Sequence, residues 1–347
     1  MAETQTPEWK SPPLKQSDES QLPQGWMPAK IHWQGNRPLV EWWDLRTCNF
    51  REPFFRQSLQ HLHPDLHNPS AVLTTMETLA SRARQTRGLP LRGFIFHMTR
   101  CGSTLVSRSL GHLPTARALG QPDFVVDLLD PPVEVPRAQR IAWLRDLVTL
   151  LAASPAHAPQ KHLVIRWTSI LSIKLQFFRE AFPGVKWLFV YRNPLEVLVS
   201  VLRAPTLFMR MRQDPDWGAR WLGMARETVR RMDDRVYAAQ FLQAMCRPVI
   251  DGHDSFNAGE MIALDYQRLP HAIWERVLPH FGIRFDGADR ARMQDQAALY
   301  SKDVNQVRVF RDDSREKRRQ ASPALKALCD GGPQLAVDRL RQLFPPT

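Results

Sequence analysis

The feature of this sequence that most constrains the fold is the stretch from Leu91 to Leu113, LRGFIFHMTRCGSTLVSRSLGHL. It begins with an aromatic and β-branched run at residues 93–96, which is typical of a buried strand. It ends with leucines that recur at helical spacing on one face. Between these runs, residues 99–104 are small or cationic. The stretch therefore predicts a strand, a short phosphate-binding loop and a helix.

The loop has the composition that phosphate binding requires. Backbone N–H groups must turn toward the phosphate oxygens, and the positive end of the following helix adds attraction. Gly102 permits close approach, while Ser103 and Thr104 supply hydroxyl donors and also suit an ordinary helix N-terminus. Ser103 stands where the nucleotide-triphosphate motif GxxxxGK has its lysine, so a kinase or ATPase loses its main support. A simple capped turn is the alternative interpretation.

A second stretch has the same organisation. Residues 186–191, KWLFVY, predict another buried strand, and Pro194 follows at the position where a helix commonly starts. Arg192 lies at the end of this strand and Ser200 lies two helical turns further on. Both side chains are therefore expected to reach one anion held beside the sheet.

Together the two stretches resemble the motifs of sulfotransferases that use 3′-phosphoadenosine-5′-phosphosulfate (PAPS), especially those of a bacterial branch. The matching segments are His97–Leu105 (HMTRCGSTL), Phe182-Pro183 and Tyr191–Ser200 (YRNPLEVLVS). The resemblance implies that Arg192 and Ser200 hold the 3′-phosphate of the donor. It also implies that the first loop holds the 5′-phosphosulfate, through Thr99, Arg100, Cys101, Gly102, Ser103 and Thr104.

The expected fold is α/β, with a central, mostly parallel sheet flanked by helices in the phosphate-loop-like architecture of sulfotransferases. We assign residues 91–347 to this domain and residues 25–90 to an N-terminal extension that packs on it. Within the extension, IHWQGNRPLVEWW at residues 31–43 predicts a hairpin, and residues 54–79 predict helices. Residues 1–24 are polar and contain prolines, so we predict a disordered tail.

The sequence departs from the resembled family at the expected catalytic base. In that family a glutamate that takes the acceptor proton commonly occupies the position of Gln121, and a glutamine cannot ionise. Asp123 is one replacement, although it also suits a cap for a helix beginning near Phe124, and His97 is a second candidate. Alternatively, an acidic or amine acceptor needs less help, or catalysis has been lost. An alcohol acceptor must lose its proton as the S–O bond forms, which favours the presence of a base.

Further cations complete the expected site. Arg166 ends a predicted strand where sulfotransferases often carry a lysine that contacts the sulfonate, and arginine can keep that role. A structural ion pair is the alternative for Arg166. The late basic segment around Ser301 and Lys302 resembles the family segment that folds over the cofactor, so we expect one of the two near the phosphosulfate.

Composition narrows the class of protein. The formal net charge is +12, which fits an anionic cofactor, and no nucleic-acid-binding motif accompanies it. The four cysteines are scattered, which indicates a reducing, cytoplasmic setting rather than disulfides or zinc. The sequence shows neither a signal peptide nor an uncharged run long enough for a membrane span, so we expect no membrane association. Three histidines between residues 61 and 67 lack further ligands, so no metal is expected.

The expected function is direct, in-line transfer of a sulfonate from PAPS to a hydroxyl or amine of a small-molecule acceptor, with 3′-phosphoadenosine-5′-phosphate as the product. Arg100 and Arg166 would stabilise charge on the transferring group. The rival interpretations are a small-molecule kinase on the same sheet class and a non-catalytic nucleotide- or nucleic-acid-binding protein on a sulfotransferase frame. The sequence identifies neither the acceptor nor the oligomeric state.

Overall fold

The computed structural model describes residues 22–345, apart from 155–157, 300, 304, 306, 310 and 311. The strands are β1 (Met27–Gln34), β2 (Arg37–Trp43), β3 (Val72–Thr75), β4 (Leu91–His97), β5 (Ala116–Gly120), β6 (His162–Arg166), β7 (Lys186–Tyr191) and β8 (Met261–Asp265). The α-helices are α1 (Phe55–Leu62), α2 (Met76–Gln85), α3 (Ser103–Gly111), α4 (Val125–Leu129), α5 (Arg137–Leu151), α6 (Leu175–Ala181), α7 (Pro194–Arg203), α8 (Leu207–Arg210), α9 (Pro215–Leu222), α10 (Arg226–Arg231), α11 (Asp234–Asp251), α12 (Leu278–Phe281), α13 (Gly287–Ala297), α14 (Ser314–Gln320), α15 (Pro323–Asp330) and α16 (Pro333–Leu343).

The main sheet has five strands in the order β5-β6-β4-β7-β8, and every neighbouring pair is parallel. Strands β4 and β7, which carry the two predicted motifs, lie side by side with Gly93 opposite Lys186 and His97 opposite Val190. Because helices cover both faces of this sheet, its strands are nearly continuous apolar runs in the sequence. The predicted α/β fold with a parallel sheet is confirmed.

An aromatic cluster fills the core beneath the sheet. Phe96 stacks on Trp187 with ring centroids 5.3 Å apart, and Phe178 packs edge-on against Phe96 at 5.1 Å. Phe94 and Trp167 extend the cluster at 5.4 Å. Rings packed at these separations stabilise a core beyond their buried area, because positive ring edges meet negative ring faces. The cluster makes the strand ends a rigid platform for the loops that follow them.

The N-terminal extension forms its own antiparallel sheet in the order β1-β2-β3. The predicted hairpin is confirmed, and its two strands turn at the residues between Gln34 and Arg37. Strand β3 was predicted as helix. Its segment VLTT pairs with β2, and the Trp42 indole donates to Thr74 Oγ1 at 2.8 Å. Pairing with a distant strand overrides local helical spacing, because strand propensity depends on the cross-strand neighbours.

Other departures from the predicted elements have local causes. β5 was not predicted, because ARALG carries few β-branched residues, yet it pairs in parallel with β6. Residues 323–343 form two helices, separated at Gly331 and Gly332. Residues 207–247 hold four helices, and Gly223 ends one of them with a left-handed backbone.

Two features are absent from the residues that the structure describes. None of their helices is long and apolar enough to cross a bilayer. No group of three or more metal-ligating side chains occurs among them. Of the three clustered histidines, His61 lies 2.9 Å from Glu52 and His63 packs edge-on against Trp43. The tail predicted for residues 1–24 falls outside the described residues up to residue 21.

Candidate functional site

A cavity of about 1300 Å³ lies at the carboxyl ends of the main-sheet strands. Residues that closely follow all five strands line it, namely Thr99, Gln121, Thr168, Arg192 and Tyr266. Ligands of open α/β sheets bind at this edge. The cavity is larger than the usual site for one small molecule, so it has room for two reactants.

The cavity has two halves, which we name by the segments that line them. The loop half is lined by residues from the loop after β4, from β7 through α7, from the segment after β8 and from the late segment, among them Thr99–Thr104, Arg192, Ser200, Arg203, Tyr266, Ser301, Lys302, Asp313 and Lys317. The extension half is lined by residues from β1, α1, the β5–α4 connection with α4, the segment after β6 and the α8–α9 region, among them Lys30, Ile31, His32, Phe55, Arg56, Leu59, Asp123, Phe124, Asp127, Thr168, Arg210, Met211 and Trp217.

The loop after β4 has an unusual backbone. Thr99, Arg100 and Gly102 have φ angles of 64°, 49° and 87°. Left-handed conformations are costly for residues with a side chain, and they concentrate at functional sites. Successive N–H groups held in such turns form anion-binding concavities. The nine-residue helix α3 starts at Ser103 and adds its positive end to the same place.

Gly102 is also fixed by its surroundings. A Cβ atom at this position would lie 2.6 Å from Leu269 Cδ1 and 2.8 Å from Tyr266 Cδ2. Tyr266 and Leu269 belong to the segment after β8. Their closeness to Gly102 shows that this segment packs on the loop after β4.

The side chains of the loop are mostly buried. Thr99, Ser103 and Thr104 are buried, and the Cys101 thiol donates to the Val190 carbonyl oxygen at 3.1 Å. Burial raises the pKa of Cys101 to about 12, so the thiol stays protonated in the core. Any contribution of Cys101 to a ligand therefore comes from its main chain.

His97 holds the loop in place. The Thr99 N–H donates to His97 Nδ1 at 3.1 Å, which leaves the ring proton on Nε2, 3.0 Å from the Trp167 carbonyl oxygen. Burial lowers the pKa of His97 well below its usual value, so the ring is neutral. Since both nitrogens are used, this geometry argues against His97 as a base.

Three cations converge from separate elements. Arg100 donates to the Ala204 carbonyl oxygen at 2.7 Å. Arg166 is 1% exposed and donates to Ser107 Oγ at 3.0 Å and to the Pro53 carbonyl oxygen at 2.6 Å. Burial, with Arg100 and Arg166 nearby, lowers the pKa of Lys302 to about 7. Positive charge therefore exceeds negative charge where Arg100, Arg166 and Lys302 meet.

Arg192 lies in a buried ionic network. It contacts Glu196 at 2.6 Å, Asp313 at 3.2 Å and Ser314 Oγ at 2.9 Å, and its guanidinium lies 4.0 Å from the centre of the Tyr266 ring. Ser200, half-buried, lines the same part of the cavity. The sequence analysis missed Glu196, although a glutamate four residues after an arginine at a helix start is a recognisable ion-pair spacing.

Gln121 occupies a strained position in the extension half. Its φ is 54°, its N–H donates to the Arg166 carbonyl oxygen at 2.7 Å, and its amide nitrogen lies 3.3 Å from His97 Nε2. Its side chain therefore lies against the group that positions the loop. The amide at this position carries no titratable proton.

Asp123 faces the cavity two residues later. Solvent reaches its side chain, and the Thr168 hydroxyl donates to Oδ1. Helix α4 starts at Val125 with Phe124 as its N-cap and no capping side chain, so Asp123 does not cap it. The surrounding protein raises the pKa of Asp123 by desolvation, an effect that Thr168 and Arg166 partly oppose.

The sequence analysis named no residue in the part of the site that the N-terminal extension supplies. Lys30 and His32 on β1 line the cavity, and both contact Glu41, at 3.1 and 2.6 Å. A signal was present, since Glu41 interrupts the apolar run PLVEWW of β2. A charged residue in such a run indicates a buried partner.

The chain is similar to several solved structures at low sequence identity. No family model matches the sequence, and no curated protein matches it. The solved structures similar to it include the sulfotransferase domain of the Synechococcus PCC 7002 olefin synthase, with 16% identity, a TM-score of 0.44, and coverage of 75% of this chain and 96% of that chain.

Two further solved structures are similar. The sulfotransferase domain from the curacin biosynthetic pathway has 10% identity and a TM-score of 0.46, covering 71% of this chain and 98% of that chain. A sulfotransferase from Alicyclobacillus acidocaldarius has 14% identity and a TM-score of 0.42, covering 74% and 97%. At these identities, activity must be derived from the site itself.

Proposed function

We propose that this protein is a sulfotransferase that moves a sulfonate group from PAPS to a hydroxyl or amine of a small-molecule acceptor. The observation that carries the proposal is the meeting of two motif-bearing segments in one cavity. The loop after β4 and the Arg192–Ser200 segment after β7 follow adjacent parallel strands and line the same loop half.

The loop half fits a nucleotide with phosphates at both ends of its ribose. The left-handed loop and the start of α3 suit the 5′ end, and Gly102 leaves no room for a Cβ atom. Arg192 and Ser200 suit the 3′-phosphate, because a guanidinium forks onto phosphate oxygens. Asp313 lies on Arg192 at 3.2 Å and is half-exposed, so a phosphate there would compete with this carboxylate.

When bound, PAPS supplies the sulfonate: a new S–O or S–N bond forms to the acceptor, the S–O bond to the 5′-phosphate breaks, and 3′-phosphoadenosine-5′-phosphate leaves. Main-chain N–H groups from Gly102 to Thr104 hold the 5′-phosphate. Arg100, Arg166 and Lys302 stabilise the charge that develops on the transferring group, and fixed cations in a buried site are effective at this. Arg166 acts from the cavity floor, because Pro53 and Ser107 already bind it.

Asp123 takes the acceptor proton in this proposal. Its carboxylate faces the cavity, and a raised pKa makes it a better base than an ordinary aspartate. The Thr168 hydroxyl orients one carboxylate oxygen. Gln121, at the position of the family's glutamate, lies against His97 and takes no proton.

Calorimetric titration tests the proposal with three ligands: 3′-phosphoadenosine-5′-phosphate (PAP), ATP and AMP. Since the loop half offers cations at two separate ends, PAP is expected to bind at least tenfold more tightly than AMP. Tighter binding of ATP would favour a kinase. Equal binding of all three, with salt-sensitive binding to RNA, would favour a nucleic-acid-binding protein on this frame.

A further inference from the structure

The extension half ends at a polar corner formed by Asp127 on α4 and His32 on β1. Asp127 lies one helical turn beyond Asp123 and faces the same cavity. Solvent reaches its carboxylate, which makes no hydrogen bond or ion pair with the part of the chain that the structure describes. The Asp127 main-chain oxygen accepts from the Trp33 indole at 3.1 Å, so the extension is tied to α4 at this point.

Glu41 prepares His32 for a ligand. Glu41 is 2% exposed, and its Oε2 lies 2.6 Å from His32 Nε2. Its Oε1 accepts from the Trp43 indole at 2.5 Å and lies 3.1 Å from Lys30 Nζ. Because the Nε2–H donates to Glu41, Nδ1 is the ring nitrogen left to meet a ligand. Nδ1 has no hydrogen-bond partner among the described residues.

The charges around this corner are not balanced. Desolvation and the neighbouring carboxylates Asp123 and Asp130 raise the pKa of Asp127 to about 7, and His32 opposes this shift only in part. The cations of the extension half are directed elsewhere: Lys30 contacts Glu41, and Arg210 donates to the Pro205 carbonyl oxygen at 3.3 Å. Arg56 and Arg210 act on Asp123. A ligand that brings positive charge to Asp127 would correct this imbalance.

The walls leading to the corner are apolar and partly aromatic. The lining side chains of this kind are Ile31, Phe54, Phe55, Leu59, Phe124, Val126, Leu207, Met211 and Trp217. Such walls bind the ring or chain of a ligand, while a few placed polar groups fix its orientation.

We propose that the acceptor is an aromatic or apolar molecule carrying an ammonium group, which Asp127 binds together with Nδ1 of His32. The proposal rests on the proposed function, because that function makes the extension half the acceptor half. The acceptor's reactive group then points back toward Asp123 and the cations of the loop half. Asp127 and His32 determine specificity and take no part in the proton transfer.

The test measures binding and needs no turnover. Tyramine, 4-ethylphenol and 3-(4-hydroxyphenyl)propionate share a phenol ring and carry a cation, no charge and an anion. Each is titrated into the protein with and without saturating PAP, at about pH 8, where Asp127 is ionised and the amine is protonated. Asp127→Asn is the test variant, and Asp251→Asn, an exposed carboxylate at the end of α11, is the matched control.

The wild type is expected to bind tyramine about tenfold more tightly than 4-ethylphenol, and the propionate more weakly still. Asp127→Asn should abolish the preference and leave 4-ethylphenol binding within about twofold, while Asp251→Asn changes nothing. His32→Gln should reduce the preference by about threefold, and it tests the corner if Asp127→Asn fails to fold.

Equal binding of tyramine and 4-ethylphenol, tighter binding of the anion, no binding of any probe, or a preference that survives Asp127→Asn would overturn the inference. The PAP titration separates the two levels of proposal. If PAP binds but tyramine is not preferred, the inference fails while the sulfotransferase assignment stands. If PAP does not bind, the assignment fails, and the titrations without PAP still decide whether the corner selects a cation.

Discussion

The loop half and the extension half of the cavity are built in opposite ways. The two motifs of the loop half have compact local patterns, each a strand followed at once by a turn and a helix. The extension half draws on five segments that lie far apart in the chain, including a separate antiparallel sheet. A site for a donor can thus be encoded locally, whereas the site beside it depends on how distant elements pack.

The halves also differ in the kind of group whose pKa is shifted. Arginines and lysines dominate the loop half, and the pKa of Lys302 is lowered to about 7 there, first by burial and then by Arg100 and Arg166. In the extension half, the solvent-accessible carboxylates Asp123 and Asp127 have raised pKa values. One half therefore suits an anionic ligand, and the other suits a ligand that gives up a proton or carries positive charge.

The largest expected effect separates chemistry from donor binding. Asp123→Asn removes the proposed base, so transfer of labelled sulfonate from PAPS to tyramine or 4-ethylphenol should slow by about 100-fold or more. PAP affinity should stay within about twofold, because Asp123 belongs to the other half. Asp251→Asn is the control. A full rate in Asp123→Asn would remove this residue from the mechanism.

A substitution in the loop half should have the reverse signature. Gly102→Ala introduces a Cβ atom 2.6 Å from Leu269 and 2.8 Å from Tyr266 at a φ of 87°, so the loop must shift. We expect PAP affinity to fall by about 100-fold, since several N–H groups lose their positions together. Tyramine binding without PAP should change little.

Gly184→Ala is the matched control for Gly102→Ala. Gly184 has a φ of 80°, but nothing lies within 4 Å of its Cβ position. It should cost about 1 kcal/mol of unfolding free energy from backbone strain and leave PAP affinity unchanged. Calorimetry and thermal unfolding of both variants make the comparison, and equal loss of PAP affinity in both would show that the crowding at Gly102 is irrelevant.

A smaller effect concerns pH. Bound phosphate and sulfonate favour the charged form of Lys302, so its pKa rises from about 7 when an anionic ligand binds. Binding then takes up a proton, and PAP affinity should fall between about pH 7 and pH 9, by at most about tenfold per pH unit. Lys302→Met should flatten this dependence, and Lys326→Met, at an exposed position, should not. An affinity that rises with pH would contradict the role of Lys302.

The sequence predicted the parallel sheet and the placement of Thr99–Thr104, Arg192 and Ser200 on one cavity, because each pattern is confined to a few consecutive residues. It did not predict β3, whose VLTT segment is a strand only because β2 lies beside it. It missed His32 and Asp127 for the same reason. Their proximity arises from packing between the extension and α4, which no residue spacing in the sequence predicts.

The central claim is that Arg192 binds the 3′-phosphate of the donor, while the loop after β4 binds its 5′ end. Comparing two ligands in two forms of the protein tests this claim most directly. Affinities of the wild type and Arg192→Ala are measured for PAP and for AMP, which lacks the 3′-phosphate. Glu196 still has a cationic partner when Arg192 is removed, because Arg318 lies 3.5 Å from it. Arg137→Ala, which breaks a surface ion pair with Glu180, is the control.

We predict that Arg192→Ala weakens PAP binding by about tenfold to a hundredfold, as expected for a charge-assisted pair of about 1.5–3 kcal/mol, and weakens AMP binding by less than about threefold. That result would place the 3′-phosphate on Arg192. Equal losses for PAP and AMP, or equal affinities of the wild type for both ligands, would contradict the assignment of the loop half to PAPS.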